Sequence, residues 1–359
     1  MRSFLRMTPK QVNRMFMLAL APFIGTWLFI WLFSSSPRLE LDISAYVPDT
    51  SLKERSAKIS RGLDQASVTV DKTVNSIEKT GRLYRQTTAT MSTLLNKAEA
   101  QAVIPERIYD RRVTSKLGAP IDGVNSDRIR IQLFRINPGS YSGYAMKIKL
   151  KDPDAMKMAL GNGQAGKAVT TMQAVNQHGA VAGINAGGYA DGNGGRYPLS
   201  TTFIDGHYVS GFQPSFKELA FVGLNQSGQL IGGKFRNKEE LDRLKPKFGA
   251  TFVPVLMKNG KKKPIPEKWR TTPARAPRTV IANYKDDQLL ILVTEGYDEK
   301  GGSGATLKEL QDKLQHLGVK DAYNLDGGGS SSLILNGRVV NKPSDGQLRP
   351  VPTHFLFFK

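Results

Sequence analysis

The chain has 359 residues, 40% of them hydrophobic, with 35 glycines and 19 prolines, which excludes a disordered chain and leaves room for one large or two ordinary folded domains. Lys and Arg number 51 against 31 Asp and Glu, and this formal charge of +20 favours partners bearing phosphate or carboxylate: nucleic acid, anionic lipid or an anionic envelope polymer. The absence of cysteine excludes structural disulfides, thiolate zinc sites and a cysteine nucleophile, and is compatible with an exported bacterial protein that does without disulfides.

From Met15 to Phe33 no side chain is charged, and at about 1.5 Å per residue the run approaches the roughly 30 Å hydrocarbon core of a bilayer. One transmembrane helix is expected over 15–33, with Pro22 and Gly25 as points of bending and Trp27 and Trp31 near the distal interface. Residues 1–14 form a basic tail through Arg2, Arg6, Lys10 and Arg14. The positive-inside rule then places the N-terminus in the cytoplasm and residues 34–359 outside, as a single-pass cell-membrane protein. A cleaved signal peptide is the competing reading. Ser34-Ser35-Ser36 offers small residues, but the apolar run exceeds the roughly 7 to 15 residues of a usual h-region and no A-x-A site follows.

Residues 34–104 read as a helical stalk. Between Ser51 and Gln101, Ile59, Leu63, Ala66, Val70, Thr73, Ile77, Thr80, Tyr84, Thr87, Met91, Leu94 and Ala98 recur at spacings of four and three, a coiled-coil period. Threonines and alanines in the seam make self-association through it weak, and a single solvated helix or a partly disordered stalk fits the same pattern. In each case the segment is a spacer that Pro105 ends.

Residues 105–359 switch to short apolar runs punctuated by Gly, Pro, Asn and Asp. Strands are predicted at 142–150, 180–184, 200–209, 218–224, 251–257, 279–284, 288–294, 321–325, 331–335 and 338–341, and helices at 154–160, 170–177 and 305–317. The last helix carries Leu307, Leu310, Leu314 and Leu317 on one face and stops at Gly318, while Asn336-Gly337 marks a hairpin turn. Many strands and few helices make the fold class α+β, a mixed β-sheet body rather than a regular βαβ series.

Three glycine-rich turns each follow an apolar strand: Asn185 to Tyr189, Glu295 to Gly304, and Asp326 to Ser330. Glycine allows positive φ and lets successive amides converge on an oxyanion, although each turn alone is equally a plain strand connection. In the second, Glu295 stands at the strand end and Gly301-Gly302-Ser303-Gly304 leads into a helix whose first amides favour an anion; simple capping by Ser303 or Thr306 is the plainer reading. From Lys258 to Arg278 eight basic residues against Glu267, with Pro264, Pro266, Pro273 and Pro277, describe an exposed, extended basic loop. Arg278 opens a strand, where a guanidinium grips phosphate at fixed geometry. His178, His207, His316 and His354 show no ligand spacing, so no metal or cofactor is expected, and His178 and His316 read as helix-end residues. The basic residues are dispersed and lack an aromatic ladder, so no nucleic-acid partner is expected.

Taken together, INAGGY at 184–189, APRTVIA at 276–282, SGATLKEL at 303–310 and AYNLDGGGSSSLILNGRVVNKPSD at 322–345 resemble the phosphodiester glycosidase family, over roughly Tyr141 to the C-terminus. The resemblance implies hydrolysis of a sugar-1-phosphodiester in a phosphorylated glycan or glycolipid, in envelope or exopolysaccharide metabolism. Such a leaving group is already a weak base, so anion stabilisation matters more than acid help. On this basis Asp326, Glu295 and Arg278 are the catalytic set. Asp326 or Glu295 acts as base or nucleophile, and Arg278 with the Gly327, Gly328 and Gly329 amides and Ser330 holds the phosphate. Asn185 orients substrate, and Gly187, Gly188, Thr279, Ser303 and Ser331 complete the binding set. One departure stands out: the family usually shows Asp-Gly-Arg where this chain has Glu295-Gly296-Tyr297. A catalytically silent scaffold that holds an anionic envelope polymer is the alternative from the same residues.

Overall fold

The computed structural model describes residues 9–34, 50–297 and 303–359. Arg2 and Arg6 of the basic tail, residues 35–49 of the stalk with Ser35 and Ser36, and Gly301-Gly302 lie outside the described residues. The chain divides into two compact units, 1–93 and 94–359.

In the first unit, helix Pro9–Phe33 contains the apolar stretch Asn13–Phe33, which by length and composition is sufficient to cross a membrane. Pro22 is accommodated inside it, and the Thr26 hydroxyl donates to Pro22 O (2.8 Å). A second helix runs from Thr50 to Leu117, so Pro105 does not end the stalk helix as expected. Proline removes one backbone donor and clashes with the preceding turn. Beyond it, however, Val113 and Leu117 are buried with Tyr109 packed beside them, and the buried Lys147 ammonium bonds Asp110 and Thr114 Oγ1. That packing offsets the lost bond and carries the helix through the proline.

The body is built on an eight-stranded sheet in the order Asp122–Asn125, Ile129–Ile136, Gly143–Leu150, Leu289–Thr294, Thr279–Asn283, Asp321–Leu325, Val255–Lys258, Lys261–Lys262. Every neighbouring pair in this sheet is antiparallel, within the expected α+β body. Alternation at period two divides its side chains. Ile131, Met146, Ile148, Ile281, Ile291 and Leu325 face a core shared with two five-stranded sheets, whereas Phe134, Val280, Ala282, Leu290 and Leu292 face Leu307, Leu310, Leu314 and Leu317 of helix Leu307–Leu317. That helix is set by local chemistry: Thr306 and Glu309 form a reciprocal capping box, and Gly318 closes it at φ 81°.

The second sheet has the order Arg338–Val339, Leu333–Leu335, Ala182–Asn185, Thr353–Phe357, Met156–Leu160, and the third Leu230–Gly233, Ala220–Asn225, Pro246–Phe252, Phe203–Ile204, His207–Tyr208. The segment expected as helix 154–160 is one 3₁₀ turn, Pro153–Ala155, followed by strand Met156–Leu160 paired with Thr353–Phe357. Met156 and Met158 are buried at period two, a pattern that seven residues cannot distinguish from a helical one. The strand expected over 200–209 is a short hairpin turned by Asp205 and Gly206, both at positive φ. The run 251–257 is divided between Pro246–Phe252 and Val255–Lys258, in different sheets, at Val253-Pro254. The basic loop is not extended throughout: it forms hairpin Val255–Lys258/Lys261–Lys262 and helix Glu267–Thr271, with Lys262 on Asp312 and Arg270 on Glu267.

Candidate functional site

Register places four residues along one edge of the large sheet. Gly143 pairs Thr294, Thr279 pairs Val293, and Thr279 also pairs Leu325. Ser142, Glu295, Arg278 and Asp326 are therefore the residues immediately beyond four adjacent strands. With strands about 4.8 Å apart, the Glu295 and Asp326 backbones, two strands apart, are separated by about 10 Å with Arg278 between them.

Arg278 is 4% exposed, and its guanidinium donates to Pro273 O (2.9 Å) and, at 3.5 Å, to Ala305 O. Among the described residues it forms no ion pair with a carboxylate. Burial lowers its pKa to about 10, still well above neutrality, so it is a buried cation. Its Cδ lies 3.8 Å from where a Cβ on Gly327 would stand, so the side chain runs beneath the first glycine after Asp326.

Asn185, fully buried at the end of its strand, joins the second sheet to this edge. Its Nδ2 donates to Asp326 O (2.6 Å), and its Oδ1 accepts from Thr279 Oγ1 (2.9 Å) and Ser332 N (3.1 Å). The structure thus engages Asn185 and Thr279 with each other and with the backbone of the turn. Gly187 donates to Thr353 Oγ1 and Gly188 to Thr251 O. A Cβ on either would overlap Ala250 or Phe252 within 2.6 Å, so these glycines admit the neighbouring strand Pro246–Phe252.

In the turn after Asp326, Gly327 N contacts Asp326 Oδ1 (3.1 Å) and Gly328 N donates to Pro277 O (2.8 Å). Those two amides do not converge on a common point as expected. The turn's remaining polar chemistry is in two hydroxyls: Ser330 Oγ and Ser331 Oγ are buried with no hydrogen-bond partner among the described residues. A buried hydroxyl left so is costly unless a ligand or water completes it. Gly329 lies under the Arg349–Asp345 ion pair (2.7 Å), where an added Cβ would stand 2.1 Å from Arg349 Nη2 and 2.2 Å from Asp345 Oδ2.

Beyond Glu295 the edge opens into a cavity of about 370 Å³ lined by Tyr141, Arg275, Glu295, Tyr297, Ser303 and Lys342. Glu295 accepts from Ser142 Oγ (3.2 Å) and Lys342 N (2.8 Å), and Ser303 Oγ accepts from Tyr297 N (2.8 Å). Arg275 pairs with Glu309 (3.0 Å) and donates to Ser140 O. The Tyr141 hydroxyl is buried, and burial with the Glu309 charge raises its pKa to about 12. Tyr141, Lys342, Asp345 and Arg349 were not singled out as site residues from sequence. They sit in loops without periodicity; Lys342 and Asp345 fall within the 322–345 motif, which could have pointed to them, whereas Arg349 is signalled only by its approach to Gly329 in the folded chain.

His178 and His316 lie in last helical turns, and among the described residues no group of three His, Asp or Glu side chains is placed to hold a metal. His354, fully buried, contacts Thr171 Oγ1 (3.2 Å), which contacts Ser332 Oγ (2.6 Å), tying it to the turn. Burial holds its pKa at about 4, against about 6.5 for an unfolded imidazole. The unfolded chain therefore takes up a proton first, and stability present above pH 6.5 falls by up to about 3 kcal/mol as pH drops through the folded pKa. Urea midpoints at about pH 7 and about pH 4 should show that loss, and His354→Gln should reduce it. An identical acid loss in the variant would exclude His354 as the cause.

The family model described as phosphodiester glycosidase matches residues 178–358. Among curated proteins, the chain is similar to N-acetylglucosamine-1-phosphodiester alpha-N-acetylglucosaminidase of Mus musculus, 27% identical over 173 residues, 43% of this chain and 33% of that protein. It is likewise similar to the Bos taurus protein of the same name, 28% identical over 171 residues, 43% of this chain and 32% of that protein. The chain thus spans about a third of the length of these curated relatives. Among solved structures it is similar to the zebrafish catalytic domain of that name, described as auto-inhibited by a pro-peptide. The TM-score is 0.55 at 20% identity, over 66% of this chain and 85% of that one, and at this identity the likeness concerns the fold alone.

Proposed function

The chain belongs to the phosphodiester glycosidase family, and from that premise we propose that its body hydrolyses a sugar-1-phosphodiester at the Asp326 edge of the large sheet. The observation that carries this reading is Arg278, a buried cation that pairs with no carboxylate among the described residues, set between the Glu295 and Asp326 strand ends and beneath a turn whose Ser330 and Ser331 hydroxyls are buried without a partner among those residues.

In the proposed reaction the anomeric C–O bond breaks and its electron pair leaves with the phosphate, which becomes a phosphomonoester. The oxygen of water ends on the anomeric carbon. Arg278, with Ser330 and Ser331, offsets the charge on the departing phosphate, in a buried setting where such donors act strongly. Asp326 takes the water proton or attacks the anomeric carbon itself. Glu295 has both oxygens engaged, by Ser142 and Lys342, and holds the wall of the adjoining cavity. Asn185 and Thr279 fix the strand ends on which these groups stand.

The setting belongs to the same proposal. Helix 15–33 anchors the chain, residues 34–104 space the body from the bilayer, and the body faces outward onto envelope glycan or exopolysaccharide. One experiment addresses activity and side together. The methyl ester of alpha-linked N-acetylglucosamine-1-phosphate, anionic and impermeant, is given to intact expressing cells and to purified full chain in micelles. Release of the sugar in both is expected. Release only from purified protein would overturn the outward orientation, and binding without release in either would favour the silent scaffold.

A further inference from the structure

The basic loop is not used up by the proposed reaction, and its residues line a second cavity. This cavity, of about 560 Å³, opens on the opposite side of Asp326's strand from Arg278, where strand Val255–Lys258 is the neighbour. Its walls include Pro254, Val255 and Pro264, and its charged groups are Lys234, Lys258, Lys263 and the single carboxylate Glu218. Lys258 is held inward: its Nζ bonds Asp321 (3.1 Å), Tyr323 OH (2.9 Å) and Gly232 O (3.3 Å), which leaves its ammonium fixed against the cavity wall. Lys234 pairs with Glu218 (2.6 Å), accounting for the lining carboxylate. Lys263 makes no ion pair among the described residues, while its backbone is bonded both ways, donating to Leu256 O and accepting from Gln311 Nε2.

The cavity is also registered to the reactive edge. Asn324 donates from its backbone to Pro254 O (3.2 Å) and from its side chain to Val253 O (2.6 Å). Asp326 follows two residues later, about 7 Å along the strand, within the length of a short oligosaccharide. An apolar wall with a few fixed charges is the usual make-up of a small-molecule site, and proline and valine carbons suit the C–H face of a pyranose. Charge complementarity selects the occupant: Lys263, a lining cation without a counter-charge among the described residues, calls for an anion.

We propose that this cavity is a glycan subsite for an anionic sugar unit, a pyranose whose carboxylate or phosphate meets Lys263 and Lys258, in the same polymer whose phosphodiester reaches Asp326. Its place in a substrate rests on the proposed hydrolase reading; the binding itself does not. The test uses full chain in micelles and calorimetry with tetragalacturonate as the carboxylate probe, glucose 6-phosphate as the phosphate probe and maltotetraose as the neutral control. At least one anionic probe binds, maltotetraose does not, and Lys263→Glu weakens the binding by about tenfold or more, as expected for loss of one charge-assisted contact. Hydrolysis of the small methyl phosphodiester stays unchanged in that variant. Lys263-dependent binding without any hydrolysis would sink the hydrolase reading and leave the subsite standing. Equal binding of maltotetraose, no binding of either anion, or an affinity unaltered by both Lys263→Glu and Lys263→Ala would overturn the subsite.

Discussion

Asp326→Asn should lower kcat/KM for a sugar-1-phosphodiester by about 10³-fold, within the range that removing a positioned acid–base group produces. The substitution keeps the shape and the oxygen near Gly327 N while removing the negative charge, so melting temperature and circular dichroism should be retained. Arg278→Lys is the companion measurement. It preserves the charge but not the fork that bonds Pro273 O and Ala305 O, and its effect should fall on kcat as the leaving phosphate loses its fixed partner. The roles separate in the substrate series. A donor whose phosphate leaves more easily should recover part of the Arg278→Lys loss and little of the Asp326→Asn loss. Wild-type rates in both variants would move the chemistry away from this edge.

How far the sequence reveals this edge depends on the range of each signal. Helix Leu307–Leu317 was legible because Thr306, Glu309, the leucine face and Gly318 all lie within thirteen residues and agree. The hairpin at Asn336-Gly337 was legible for the same reason, both residues adopting positive φ. Strand Met156–Leu160 was not, because its identity comes from pairing with Thr353–Phe357, almost two hundred residues away. The glycines are the instructive case. Asn185 to Tyr189 and Asp326 to Ser330 carry the same signature, room for something to approach closely, but at Gly187 and Gly188 the visitor is strand Pro246–Phe252 of the same chain. Glycine reports a close approach and not its author. What separates the two turns is the buried hydroxyls of Ser330 and Ser331 and the buried guanidinium of Arg278, and burial of those groups is a property of three sheets assembled together. The same limit hid Arg349, which reaches Gly329 from a loop with no periodic pattern.

Asn185→Ala should cost about 3 kcal/mol or more, since it strands Asp326 O, Thr279 Oγ1 and Ser332 N in a fully buried setting where each lost partner costs about 1–3 kcal/mol. Activity should fall with stability, because the bond from Asn185 to Asp326 O is one of two, with that from Asp326 N to Ala186 O (3.1 Å), that tie the catalytic strand end to the second sheet. Asn185→Asp gives a sharper test. The oxygen that accepts from Thr279 and Ser332 is kept, but an oxygen replaces the nitrogen that faces Asp326 O at 2.6 Å. Only a protonated carboxyl can donate there, so folding favours the neutral acid and raises its pKa above the ordinary carboxylate value. Stability from a raised carboxyl is present below the unfolded pKa and is lost as pH rises through the folded one. Urea midpoints should therefore place the Asp variant close to the Ala variant at about pH 8 and move it above that variant as pH falls toward about 5. Equal stability of both variants and the wild type would show that the two sheets do not depend on this amide, and the same pH profile in Asp and Ala variants would show that its nitrogen does not carry the link to Asp326.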